Sequence, residues 1–163
     1  QADYNNQSVN YMDKLIIRKA TLPEADLIKG FQIAMALETE NITLAGDTVM
    51  SGVRAVFDDP QKGAYYVAGS NGHIIACMLT TYEWSDWRNG TFIWLQSVYV
   101  KPEWRSKGVF RKMYDHIRQL VEENEQYKGI RLYVFHTNTK ARTVYRTLGM
   151  EDQHYRMFEW IKG

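Results

Sequence analysis

The chain has 163 residues, 45% of them hydrophobic and 24% charged, which suits one packed domain and not a disordered chain. Lys and Arg number 20 against 19 Asp and Glu, so the net charge of +1 argues against a general nucleic-acid binder or a basic membrane-surface domain. No apolar run approaches the roughly 20 residues of a spanning helix, and Cys77 stands alone, which excludes an internal disulfide and a cysteine-based zinc site.

Residues 1–14 are polar and lack the apolar core of a signal peptide. They are expected to form a flexible lead, with Met12 as a candidate natural start. Residues 15–163 are expected to form a single domain of a cytoplasmic protein. Leu15–Arg18 reads as a first strand. Pro23-Glu24 opens a helix whose apolar positions Leu27, Ile28, Phe31, Ala34 and Met35 recur at three-to-four spacing. A second helix begins near Asp47 and stops at Asp58-Asp59-Pro60.

Strands follow. Ala64–Ala68 and His73–Tyr82 flank Gly69-Ser70-Asn71-Gly72, an Asn-Gly hairpin signal. Thr91–Val100 is apolar on both faces and is expected at the centre of the sheet. A long helix carries Val109, Phe110, Met113, Tyr114, Ile117, Leu120 and Val121 on one face. Ile130–Phe135 reads as a strand, and Asn138–Leu148 as a helix capped by Gly149. Met150–Trp160 is aromatic and is expected to form a final strand or two. The predicted order is β-α-α-β-β-β-α-β-α-β, a mixed α/β domain.

The chemistry concentrates after the central strand, in Val98-Tyr99-Val100-Lys101-Pro102-Glu103-Trp104-Arg105-Ser106-Lys107-Gly108-Val109-Phe110-Arg111-Lys112. A helix start carries free N–H groups and partial positive charge, so acids usually gather there. This helix start instead gathers Lys107, Arg111 and Lys112, with no acid between Glu103 and Asp115. A bound anion would balance that charge, and Gly108, lacking a Cβ, would let a phosphate approach the backbone. The alternative is a solvated basic helix start. The segment matches neither the G-x-x-x-x-G-K-[ST] loop nor the dinucleotide G-x-G-x-x-G fingerprint.

Arg105-Ser106-Lys107-Gly108-Val109-Phe110 after a strand ending Val-Tyr-Val resembles the acetyl-CoA signature of the GNAT N-acetyltransferases, [QR]-x-x-G-x-[GA]. Asn138 to Met150 resembles the family's second motif, N-x-x-A-x-x-x-Y-x-x-x-G-F, and the element order agrees from about Leu15 onward. Three positions depart from the pattern: Phe110 stands for Gly or Ala, Met150 for Phe, and Arg146 where an acid is common.

The resemblance implies a GNAT-like mixed sheet whose splayed central strand pair forms the cofactor cleft. It implies acetyl-CoA as co-substrate, with backbone of Val98, Tyr99 and Val100 along the pantetheine arm. Amides of Lys107, Gly108, Val109, Phe110 and Arg111 would hold the pyrophosphate, assisted by the Arg105-Ser106 loop, and Asn138 and Tyr145 would flank the thioester. Tyr145 would protonate the leaving thiolate. The bland alternative for Tyr145 is one more residue on its helix's apolar face.

No general base is given by the motifs. Glu83 and Asp86 are the best candidates, His136 a weaker one, and a solvated loop charge is the alternative for each acid. Trp84 and Trp87 beside these acids, with Glu38 and Glu40 at the end of the first helix, a region that the resemblance implies lines the acceptor site, suggest an aromatic, acidic site for a cationic amine such as a polyamine, amino sugar or lysine side chain. The alternative is that both tryptophans simply pack a loop. The favoured function is an acetyl-CoA-dependent N-acetyltransferase acting on a small-molecule or peptide primary amine, with no nucleic-acid or membrane partner, no metal ligand set and a possible homodimer. The second reading is a non-catalytic acyl-CoA-binding sensor or interaction module.

Overall fold

Hairpin chemistry and apolar runs assemble the sheet. β1 (Ile16–Lys19), β2 (Ala64–Ser70), β3 (His73–Ser85) and β4 (Gly90–Val100) pair antiparallel in that order, and β5 (Tyr127–Arg131) joins β4 in parallel. The β2–β3 turn places Asn71 at φ 50° and Gly72 at φ 78°, as a two-residue turn of the primed type demands. These coordinates come from a computed structural model that describes residues 14–163, so the expected flexible lead lies, but for Lys14, outside the described residues. The chain packs as two compact units, divided after Arg131.

In the first unit, α1 (Ala25–Glu40) and α2 (Gly46–Asp58) cover one face of the sheet. Ala25, Ile28, Phe31 and Val53 pack there with Tyr65, Val67, Cys77 and Tyr99. α3 (Val109–Glu123) covers the other face and buries Val109, Met113, Tyr114 and Ile117, the stripe its periodicity predicts. His116 of α3 meets the Tyr66 ring edge-on at 5.6 Å. Fully burying side chains such as Ile28 or Ile117 stabilises by roughly 1.5–3 kcal/mol each.

The turn into α1 is fixed by Thr21, whose N–H donates to Glu24 at 2.7 Å, and by the Arg18–Glu24 ion pair. The Arg18 guanidinium holds the Glu24 carboxyl down at about 2. A depressed carboxyl stabilises above its unfolded value of 4.5, and that stabilisation is lost as pH falls through 2. Because Arg18 is 45% exposed, solvent screening leaves about 1 kcal/mol. Glu24→Gln is therefore expected to lower urea-unfolding stability by about that much at pH 7, and the difference should close as the pH approaches 2.

Cys77 is fully buried, accepts from Gln32 Nε2 at 3.7 Å, and has its thiol pushed up to about 12 by burial. It is a residue of the core. Native protein is expected to be silent to a chromogenic disulfide reagent, and to release one equivalent of chromophore only on unfolding.

The second unit, Leu132–Gly163, holds α4 (Thr139–Thr147). Asn138 caps it by accepting from Ala141 N–H at 3.1 Å. Gly149 at φ 84° closes it, with Gly149 N–H on Arg146 O and Met150 N–H on Tyr145 O, a Schellman pair.

Two expected elements differ. The strand predicted at Ile130–Phe135 runs instead over Tyr127–Arg131. Gly129 accounts for part of the shift: a Cβ there would stand 2.8 Å from the Phe92 ring, so this residue suits close strand approach although its propensity for strands is poor. The strand or strands predicted over Met150–Trp160 do not form among the described residues. The chain leaving α4 is drawn back to it instead, because Asp152 accepts from both Arg142 and Arg146. Arg146, out of pattern in its motif, thereby finds its acid two residues past Met150.

Candidate active site

The first unit builds its site where β4 outruns β5. Thr91 to Trp94 of β4 pair with β5, ending at Trp94 opposite Arg131, whereas β4 continues to Val100. The backbone of Leu95–Val100 on that side has no β5 partner, so an extended ligand arm can hydrogen-bond along it. On its other side β4 carries a bulge. Leu79 opposes Gln96 and Cys77 opposes Tyr99, so Ser97 and Val98 together face Met78. Ser97 takes φ 49°. A bulge leaves one residue's amide outside the ladder. That is the kind of donor a developing oxyanion needs.

Beyond β4 the chain makes a 3-10 turn over Pro102–Trp104 and reaches Arg105. Ser106 at φ 60° and Gly108 at φ 81° are both left-handed, and Val109 starts α3. Ser106, Lys107 and Gly108 are exposed, with no acid in the first turn of α3. Lys107 Nζ lies over the Trp104 ring at 5.6 Å. Phe110 is half-buried, its ring 6.3 Å from that of Tyr114 one turn on. Its bulk is thus taken up along α3. A helix start of this kind, with exposed amides and basic side chains, fits a pyrophosphate.

Arg105 is engaged elsewhere. Its Nε donates to Val100 O at 2.8 Å and its Nη2 to Glu38 at 2.6 Å, and its guanidinium lies 5.4 Å from the Tyr99 ring centroid. Tyr99 stacks on Phe31 at 5.1 Å, and burial pushes its phenol up. Its side chain therefore belongs to the core. Glu38 and Glu40, two residues apart on α1, face opposite sides of the helix. Glu38 joins Arg105; Glu40 is exposed at the last turn, before Asn41 ends the helix at φ 54°.

Glu83 lies near the end of β3, which runs on to Ser85. Its carboxylate accepts from Trp94 Nε1 at 2.7 Å and from Arg131. Arg131 also stacks on Phe92 at 3.8 Å, with Arg88 over the same ring at 5.5 Å. Thr81 and Gln96, joined at 2.6 Å, continue this polar strip toward the unpaired part of β4. By alternation Trp84 points to the opposite face from Glu83, so Trp94 takes the aromatic place expected of Trp84.

Asp86 sits in the hairpin tip, where it accepts from Trp87 N–H at 2.9 Å. Trp94 and the tip are separated by the whole Gly90–Ile93 stretch, about 13 Å of strand. The carboxylates of Glu83 and Asp86 are thus committed to different partners, Trp94 and Arg131 for the first and the Trp87 N–H for the second. Trp84 and Trp87 are 63% and 90% exposed, so neither packs a loop against the sheet. Arg131, Trp94, Thr81 and Gln96 carry no motif and were not singled out by the sequence. Ser97 gives no signal either, because serine seldom marks a positive φ.

Within the second unit, Tyr145 is half-buried on α4 and burial pushes its phenol above the ordinary 10. Asn138 spends its side-chain oxygen on the α4 cap. His136 is exposed and its carbonyl accepts from Arg142. A shallow open depression in the first unit, lined by Leu22, Pro23, Asp26, Arg54 and Asp58, contains none of the candidate residues. No helix among the described residues is long and apolar enough to cross a membrane.

The acetyltransferase (GNAT) family model matches residues 33–150. A possible acetyltransferase from Clostridium difficile 630 is 39% identical, with TM-score 0.85, covering 91% of this chain and 97% of that one. A predicted acetyltransferase from Clostridium acetobutylicum, solved with acetyl-CoA, is 19% identical with TM-score 0.68 over 91% of this chain and 94% of its own, a likeness of fold. The thialysine N-epsilon-acetyltransferase of Bos taurus is 30% identical over 79 residues, which is 48% of this chain and 45% of the bovine protein. The chain thus spans under half the length of that curated relative.

Proposed function

The chain belongs to the GNAT acetyltransferase family, and from that premise we propose that it transfers acetyl from acetyl-CoA to a primary amine by direct attack. The observation that carries the reading is the juxtaposition of a β4 edge that runs on past its β5 partner with a basic, acid-free start of α3. On this reading the pantetheine arm lies along Val98–Val100. Amides from Lys107 to Arg111 hold the pyrophosphate, with Arg105 and Ser106 shaping the loop.

The neutral amine attacks the thioester carbonyl carbon, its lone pair forming the C–N bond. The oxyanion takes a hydrogen bond from the bulged backbone beside Val98. As the C–S bond breaks, Tyr145 gives the thiolate its proton and is later reprotonated from water. The amine's own proton leaves toward Glu83, directly or through water. Glu83 is favoured over Asp86 because it adjoins the polar strip leading to the open part of β4. The Tyr145 role rests on its motif and on a phenol that burial keeps protonated. The strip of Glu83, Trp94, Thr81 and Gln96, its acid balanced by Arg131, offers polar and aromatic contacts to an amine acceptor. The bovine relative's named activity, on an N-epsilon amine, is consistent with a primary-amine acceptor.

The test is thiol release from acetyl-CoA with a panel of polyamines, amino sugars, amino acids, lysine peptides and protein N-termini. Acceleration by one class is the expected result. Tight acetyl-CoA binding with silence across the panel would favour the sensor reading instead.

A further inference from the structure

We infer that Glu38, on the last turn of α1, is a positioning residue for the acetyl-CoA site, acting through Arg105 on the path of the Ser106–Gly108 loop. The inference rests on the reading of that loop as the pyrophosphate cradle. One carboxylate gathers both sides of the junction: Glu38 Oε2 accepts from Arg105 at 2.6 Å and Oε1 from the Tyr99 hydroxyl at 3.4 Å. Arg105 in turn clamps the end of β4 through Val100 O at 2.8 Å and covers the Tyr99 ring. The residues just before the loop are thus tied to a helix 67 positions earlier in the chain.

The loop needs such a tie. Arg105 is extended at φ −70° and ψ 154°, then Ser106 and Gly108 both turn left-handed. A non-glycine residue held left-handed costs on the order of 1 kcal/mol and persists when its surroundings impose it. The amides that would face a pyrophosphate follow directly, so a small rotation at Arg105 misdirects all of them. The pair itself is half-exposed, at 44% for Arg105 and 38% for Glu38, so it adds little to global stability. Positioning and stability therefore separate in experiment. Glu38, expected from the sequence to face the acceptor, is reassigned to the donor side.

Calorimetric titration with CoA and thermal melts of Glu38→Gln, Glu38→Asp and Gly108→Val test this. Glu38→Gln should weaken CoA binding about 5–10-fold while Tm moves by less than about 2 °C. Glu38→Asp, which keeps the charge, should recover part of the affinity. Native CoA affinity in Glu38→Gln beside a lost affinity in Gly108→Val would overturn the positioning role and leave the cradle reading standing. Native affinity in Gly108→Val would overturn the cradle reading and this inference with it. Equal losses in Glu38→Gln and Glu38→Asp, accompanied by a large fall in Tm, would reduce Glu38 to a structural residue and also overturn it.

Discussion

Tyr145→Phe is expected to lower kcat about 100-fold, the lower range for removing a general acid, while CoA affinity stays within about twofold of the native value. The substitution removes one oxygen from a half-buried side chain on α4 and leaves the ring to pack. Burial raises the phenol above 10, so the acid form persists through neutral and mildly alkaline pH. For an acid with a raised pKa, activity survives as pH rises until that value is passed. The alkaline limb that Tyr145 contributes to the kcat profile should therefore lie above pH 10. In Tyr145→Phe that limb should be absent. A variant that keeps its kcat, or an alkaline limb unchanged by the substitution, would remove Tyr145 from the chemistry.

Gly108→Val is expected to weaken acetyl-CoA binding by about 30-fold or more, roughly 2 kcal/mol, with the sheet and α3 intact. Gly108 sits at φ 81° and ψ 12° as the residue preceding α3. A β-branched residue is strongly disfavoured there, so the backbone must rotate and carry the first amides of the helix with it. The position is exposed, so the strain falls on the loop rather than the core. Gly108→Ala should lie between the two in titration calorimetry. Equal binding by all three proteins would mean that the loop does not hold the pyrophosphate.

The parts of this molecule that were legible in its sequence are those governed by local rules. The α3 stripe, the Asn71-Gly72 turn, the Asp58–Pro60 stop and the Gly149 cap each follow from periodicity or backbone chemistry and lie where expected, as does the α1 stripe except at Leu27, which is exposed. The basic start of α3 was visible as a conflict with the helix dipole. What escaped depends on pairing between distant segments. The bulge at Ser97 and the early end of β5 are set by register against β3 and β4, to which single residues give no clue. Glu83 was singled out as a candidate base, but its partners Trp94 and Arg131 come from two other strands and could not be read beside it. The aromatic run after Met150 reads as strand by composition, yet a strand also needs a neighbour, and Asp152 turns instead to Arg142 and Arg146 on α4.

Acetyl-CoA is expected to be held by the open edge of β4 and the start of α3. Residue-resolved amide hydrogen exchange, with and without acetyl-CoA, tests it most directly. Slowed exchange at Val98–Val100 and at Gly108–Lys112, with little change in β1 and β2, is the expected result. Protection centred on other elements, or none at saturating acetyl-CoA, would contradict it.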